Sequence, residues 1–295
     1  LPLYRLEAKN KNTSNICSFF LEKALQLGKY VALVFPKFLL NTPEFSTTRA
    51  ELAQKSVDAI LDFGEKGFPG ILVETIAIFI NNLAAPANTK VFSLTHRLHL
   101  TQPQAYIFDP ELPYWIIYRN QLFDSVCRKL DFDVFEVFRD RQLTNKLLSS
   151  SGELRVLKSR NLSDDGKAIL DIPGYDSYIS YAAAKPLSVF QYLDAPNVYL
   201  TPNMTYKPRM MKKPLHCLVN GSLAILIPKK DFTLSEKQLS YFSTEEYRTF
   251  YQIARNFQTR SLNVDACSVF FYGLLRDEAK PAPEKFDASV QLSFL

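Results

Sequence analysis

Four short polar stretches carry the side chains suited to gripping a polyanion. They are Arg139-Asp-Arg-Gln-Leu-Thr-Asn145, Leu154-Arg-Val-Leu-Lys-Ser-Arg-Asn161, Thr201-Pro-Asn-Met-Thr-Tyr-Lys-Pro-Arg209 and Ala254-Arg-Asn-Phe-Gln-Thr-Arg-Ser-Leu-Asn263. Each mixes Arg or Lys with Gln, Asn, Thr or Tyr. Cationic groups hold phosphates, Arg also pairs with guanine, and Asn or Gln pairs with adenine. The expected phosphate or guanine contacts are Arg139, Arg141, Lys158, Arg160, Lys207, Arg209, Arg255 and Arg260. The expected base readers are Gln142, Asn145, Asn161, Asn203 and Asn263, with Tyr206 beside them. Turns and helix caps draw on the same residue types, so the competing reading is local backbone chemistry.

Charge placement agrees with the first reading. The 295 residues hold 35 basic and 30 acidic side chains, a formal net charge of +5. The window Ala195–Lys230 has no acid and six bases (Lys207, Arg209, Lys212, Lys213, Lys229 and Lys230). Tyr247–Val264 is also acid-free and carries Arg248, Arg255 and Arg260, while Val137–Asn161 holds six bases against two acids. Thr101–Glu136 reverses the balance, with three bases and six acids. Clustering of this kind is the footprint of a surface for nucleic acid, against the alternative of a solvated charged face.

Other chemistry is thin. Gly64-Glu-Lys-Gly67-Phe-Pro-Gly70 leads into a strand, whereas a phosphate cradle needs a following helix N-terminus. It reads as a glycine-rich hairpin loop with Phe68 at its tip. His96 and His99 stand three apart with no further ligand nearby, which does not make a zinc site, and no metal is expected. No Ser/His/Asp set stands out. The four cysteines (Cys17, Cys127, Cys217 and Cys267) are dispersed, which fits small buried side chains in a reducing cytoplasm. No apolar run reaches the roughly 20 residues a membrane helix requires, and the opening stretch has no apolar signal core. At 47% apolar and 22% charged residues, the composition is that of a globular chain.

The elements that must position these groups fall into two parts. Asn12–Asn15 is an N-cap cluster, followed by Ile16, Phe19, Phe20, Ala24 and Leu27 at helical spacing and a stop at Gly28. Tyr30–Phe35 is a continuous apolar run, the pattern of a parallel strand covered on both faces. A helix is expected over Glu44–Lys55, and strands over Val57–Phe63 and Leu72–Ile80. Asn81–Thr89 reads as a linker. Beyond it, short apolar runs (Tyr114–Tyr118, Leu154–Leu157, Val198–Leu200, Leu223–Ile227) alternate with turns. Ser243 and Glu246 form a capping-box pattern for a helix to about Asn256.

The motifs Ser14-Asn-Ile-Cys-Ser-Phe-Phe-Leu-Glu-Lys-Ala24, Val31-Ala-Leu-Val-Phe-Pro-Lys37 and Asp62-Phe-Gly-Glu-Lys-Gly-Phe-Pro69 resemble, in that order, late motifs of N6-adenine DNA methyltransferases. The nearest group is that of restriction–modification systems, in which a target-recognition domain follows the catalytic domain. Ser159-Arg-Asn161, Val219–Pro228 and Arg260-Ser-Leu-Asn263 resemble recognition domains of the same group. The resemblance implies an α/β fold: the tail of an S-adenosylmethionine-dependent methyltransferase sheet (1–90), an α+β target-recognition domain (96–275) and a tail (276–295). It implies that Phe20 packs against the adenine of S-adenosylmethionine and that Phe68 packs on the flipped target adenine. A flipped base has lost its stacking neighbours and needs such a platform. The partners implied are double-stranded DNA, a catalytic half and a cognate restriction endonuclease. The family's glycine-bearing cosubstrate loop and its Asn/Asp-Pro-Pro-aromatic tetrapeptide do not occur, so the chain is expected to be a C-terminal portion that is inactive alone. Two alternatives stay open: a non-catalytic DNA specificity module, and part of a combined restriction endonuclease–methyltransferase. RNA methylation ranks below both.

Overall fold

The computed structural model describes residues 8–259 and 263–276. The chain divides into two compact units. Among the described residues, one comprises 8–123 with 253–259, and the other comprises 124–252 with 263–276.

The first unit is built on a five-stranded mixed sheet. Helix α1 (Ile16–Leu27) starts where the Asn15 side chain accepts the Cys17 amide at 3.3 Å, and it closes where the Gly28 amide reaches the Ala24 carbonyl. Strands β1 (Tyr30–Pro36), β2 (Ser56–Gly64), β3 (Thr75–Asn81), β4 (Asn88–Ser93) and β5 (Leu98–Pro103) order as β1-β3-β2-β4-β5. Only β2 and β4 run parallel. Helix α2 (Ser46–Ala53) precedes β2, and the short helix α3 (Gln104–Ile107) follows β5.

One sheet face is the core: Val31, Phe35, Ile76, Ile78, Ile80, Val57 and Ile60 are buried there with Leu21, Leu39, Phe45 and Leu52. Each such side chain contributes about 1.5–3 kcal/mol through burial. β1 departs from the expected parallel, doubly covered strand. It pairs antiparallel with β3 alone among the described residues, and Tyr30, Val34 and the neighbouring Phe79 stay exposed. The expected linker Asn81–Thr89 is a turn that runs straight into β4 of the same sheet. Its small and Pro-bearing residues fit a turn as well as a linker.

The apolar run Tyr114–Tyr118 is buried yet irregular. Asn256 supplies what a neighbouring strand would. Its Oδ1 accepts the Ile117 amide at 2.9 Å, and its Nδ2 donates to the Trp115 carbonyl at 2.7 Å.

The second unit holds a four-stranded sheet, β11-β10-β13-β7, and a three-stranded one, β12-β8-β9, with a two-stranded ribbon, β14-β6. The strands are β6 (Leu130–Asp131), β7 (Phe135–Phe138), β8 (Leu154–Leu157), β9 (Ser177–Ile179), β10 (Tyr199–Pro202), β11 (Met211–Lys212), β12 (Cys217–Val219), β13 (Leu223–Pro228) and β14 (Leu274–Leu275). The predicted runs at Leu154, Val198 and Leu223 thus fall on β8, β10 and β13. Leu154, Val156, Leu200, Leu218, Leu223 and Ile225 join one core.

Helix α4 (Gln121–Lys129) leads into this unit, the short α5 (Tyr181–Ala184) follows β9, and α6 (Glu236–Tyr241) precedes α7 (Glu245–Ala254). The α7 cap is one residue later than the sequence pattern: the Thr244 hydroxyl accepts the Tyr247 amide at 3.2 Å. Ser243 instead donates to the Asp165 carbonyl, and Glu246 pairs with Lys129 and Tyr241. The cysteines are free and half-buried rather than fully buried. The expected tail, from residue 277 onward, lies outside the described residues.

Candidate nucleic-acid interface

The turn Asn220–Ser222 between β12 and β13 is the hub on which the polar stretches converge. Its Asn220 side chain accepts the Ser222 amide at 3.1 Å and the Ser222 hydroxyl at 2.7 Å, an Asx turn that fixes the bend. A Cβ at Gly221 would stand 2.7 Å from the Asp140 carbonyl, so only glycine lets the first stretch pack here. The buried Asp140 carboxylate accepts the Leu143 amide at 2.8 Å and folds its own segment back, with Arg139 and Arg141 on either side. The Ser222 hydroxyl accepts the Ser159 amide at 2.9 Å, which seats the second stretch. The Ser222 carbonyl accepts the Asn203 amide at 2.9 Å, which seats the third.

The expected site residues then separate by direction. Arg141, Asn145, Arg160, Tyr206 and Lys207 are exposed and Arg139 is half-buried. Lys207 has Asp164 at 3.5 Å. Among the described residues, Arg139 and Arg141 form no ion pair. Gln142 is exposed, but its Oε1 accepts the Ser188 amide and hydroxyl at 2.7 and 2.8 Å. Arg160 and Lys158 converge on one ring: their charged groups lie 4.7 and 3.8 Å from the Tyr175 centroid, a shared cation–π platform. Lys158 is half-buried, and its Nζ also donates to Ser177 at 2.9 Å and to the Tyr175 carbonyl.

The others point inward. Asn161 is fully buried: its Oδ1 accepts the Lys158 amide at 2.9 Å, and its Nδ2 donates to the Leu170 carbonyl at 3.0 Å and to Asp176 at 2.6 Å. Asn203 is buried, donating to the Gly221 carbonyl at 3.0 Å and to Asn263 at 2.9 Å, and accepting the Val264 amide. Arg209 is buried with its guanidinium on the carbonyls of Lys207, Ser159 and Leu162. Burial of this kind lowers the tendency of its side chain to hold charge, and the Arg209 pKa moves down accordingly. In the first unit, Arg255 is 3% exposed and donates to the Tyr114 hydroxyl. These four groups are turned into the fold rather than toward solvent, with the hydrogen bonds just given made to other parts of the chain. Arg260 lies outside the described residues.

Lys213, counted in the basic window, is also internal. It is 2% exposed and donates to the Leu193 and Pro214 carbonyls at 2.8 and 2.9 Å. Burial pushes its ammonium down to about 8. A lysine that titrates near 8 when folded and near 10.4 when unfolded binds more protons unfolded between those values, so stability rises with pH across that window. The expected result is that urea midpoints of the native chain climb between pH 8 and 10, and that Lys213→Met flattens the climb.

In the first unit, Phe20 and Phe68 are 62% and 46% exposed. Phe20 is not part of the core: with Ile16 and Leu27 it forms an exposed apolar stripe on α1. Phe68 stands on a tightly seated loop. A Cβ at Gly67 would come 2.2 Å from the Thr75 hydroxyl, the Lys66 amide closes on the Phe63 carbonyl at 3.0 Å, and the Ile71 amide closes on Phe68 at 3.2 Å.

Below the loop lies a buried polar cluster that motif reading missed. Lys37 Nζ is 2.7 Å from Asp62 and 4.0 Å from Glu74, all buried. The Tyr118 hydroxyl donates to Asp62, and burial beside that carboxylate holds the phenol well above its ordinary range, so it stays a donor. The charge of Glu74 inside an apolar run was the available signal.

Among the described residues, no His, Cys, Asp or Glu group could hold a metal ion, and no helix is long and apolar enough to cross a membrane. No protein-family description matches the chain, and no curated protein matches it. Solved structures do. The Type IIL restriction–modification enzyme MmeI, determined in complex with DNA, superposes with a TM-score of 0.48 at 11% identity, over 86% of this chain and 41% of its own. The type IIG restriction endonuclease BpuSI superposes with a TM-score of 0.36 at 9% identity, over 93% of this chain and 45% of its own. The chain therefore spans less than half the length of either enzyme.

Proposed function

We propose that the chain is the DNA-reading part of a site-specific adenine-N6 DNA methyltransferase of a restriction–modification system. The observation that carries the DNA-binding reading is the convergence on the Asn220–Ser222 turn. Segments far apart in sequence meet there and leave Arg141, Arg160 and Lys207 exposed and Arg139 half-buried. Cations gathered by a dedicated scaffold, Arg139 and Arg141 among them without an ion pair among the described residues, suit a phosphate backbone. Asn145 is exposed in the same stretch as Arg141 and is the amide assigned here to reading a base edge.

The adenine-methylating reading rests on the resemblance of the first-unit motifs. It is supported by the exposed aromatic groups at Phe20, for the cosubstrate adenine, and at Phe68, for the flipped base. S-adenosylmethionine would supply the methyl group. The sequence contains no Pro-Pro pair, so the catalytic tetrapeptide would come from a catalytic half. Among the described residues β1 pairs with β3 alone, and this edge with the exposed Tyr30 and Val34 leaves room for further strands.

Selection of bound sequences from a random duplex pool tests the reader. Asn145→Ala should relax the preference at one base pair by about 1–3 kcal/mol, while Arg160→Ala should weaken all sequences equally. An unchanged profile and unchanged affinity in both variants would place the interface elsewhere.

A further inference from the structure

The first unit contains a device that the motifs did not announce. After α7 the chain returns as the strap Arg255–Thr259, and almost every side chain of that strap is engaged within this unit. Asn256 replaces a strand partner for Trp115 and Ile117. Phe257 packs 4.6 Å from the His96 ring and 5.2 Å from the Tyr118 ring. Gln258 exchanges amide bonds with Asn41, the shorter at 2.7 Å. Asn256 and Phe257 both sit at positive φ, +50° and +51°, a conformation that such residues keep only when their surroundings over-determine it.

The strap ends on the loop that carries Phe68. The Thr259 amide donates to both carboxylate oxygens of Glu74 at 3.1 Å, and its hydroxyl donates to Glu65 at 3.0 Å. Glu65 opens that loop and Glu74 closes it, so a single residue touches both stems. Glu74 is in turn fixed from below: its carbonyl accepts the Lys37 amide at 2.8 Å.

We propose that Thr259 is a positioning residue that pins the two stems of the Phe68 loop through Glu65 and Glu74. The strap leading out of α7 thereby sets where the aromatic platform stands. The proposal rests on the reading of Phe68 as a base platform, and its geometry can be tested without DNA.

Phe68→Trp in the full chain places an indole at the loop tip. The native Trp115 is the sole tryptophan and is 5% exposed, so it is shielded from acrylamide. Adding Thr259→Val, which keeps the amide but removes the hydroxyl, should cause a gain in acrylamide quenching and a loss of anisotropy at the introduced indole. Glu65→Gln should keep part of the bond and give a smaller change, and Thr259→Ser should restore the parent signal. Urea midpoints measured alongside separate loop release from unfolding. Equal quenching and anisotropy in folded Thr259→Val and parent would overturn the clamp. The platform reading fails by a different result: a firmly held indole that added duplex does not shield.

Discussion

Replacing Lys37 by Met is expected to destabilise the first unit by about 3–5 kcal/mol, the usual penalty when one partner of a buried ion pair is removed. Lys37 and Asp62 are 2% and 1% exposed, with Nζ and Oδ2 2.7 Å apart, and Glu74 stands at 4.0 Å. Without the ammonium, the Asp62 carboxylate loses the counter-ion 2.7 Å away and Glu74 loses a cation at 4.0 Å, both out of water. Asp62 keeps the Tyr118 hydroxyl and the Gly64 amide, and Glu74 keeps the Thr259 amide. Those donors soften the penalty without cancelling it. The double substitution Lys37→Met/Asp62→Asn should recover much of the loss, because the amide oxygen can still accept from Gly64 and one buried charge is gone. Urea unfolding followed by Trp115 fluorescence reads this unit selectively, since Trp115 is packed against Phe108 within it. Additive losses in the double variant would mean that Lys37 and Asp62 do not interact.

The second large effect concerns Asn161, which sequence spacing nominated as a base reader. Its side chain makes three internal bonds, at 2.9, 3.0 and 2.6 Å, and is fully buried. Asn161→Ala would leave the Lys158 amide and the Leu170 carbonyl without this partner and remove a donor from Asp176. Each unsatisfied buried group costs about 1–3 kcal/mol, so a total loss of roughly 2–4 kcal/mol in the second unit is expected. Urea titration followed by far-ultraviolet circular dichroism measures it. Under conditions where the variant remains folded, its sequence preference on DNA should equal that of the native chain. A stable Asn161→Ala with altered preference would make Asn161 a true reader and the internal network incidental.

These two residues show what sequence conveys and what it withholds. Residue types near Ser159–Asn161 correctly flag polar chemistry, yet an Asn that reads adenine and an Asn that closes a turn are the same letters. Direction is set by the Leu170 carbonyl and Asp176, which belong to another stretch. The same limit applies to Arg209 and Arg255, whose guanidinium groups serve backbone carbonyls and a tyrosine inside the fold. Helix α1 was legible because its cap and stop are local.

The strand β1 was legible as a strand but not as an edge. A continuous apolar run reports a preference for burial, whereas pairing is decided by β3, and the outer face around Val34 remains open. The Lys37–Asp62–Glu74 cluster joins three separate elements through one buried charge balance. No periodicity encodes it.

Fluorescence anisotropy of the full chain against a mixed-sequence duplex, titrated from low to physiological salt, tests the central claim most directly. If Arg139, Arg141, Arg160 and Lys207 hold phosphates, affinity should fall linearly on a logarithmic salt scale, with a slope of about −0.9 per phosphate neutralised. Arg141→Ala/Arg160→Ala should flatten that slope by about two contacts. Binding that is absent even at low salt, or that ignores salt, would contradict a phosphate-gripping reader and return the basic windows to ordinary solvated surface.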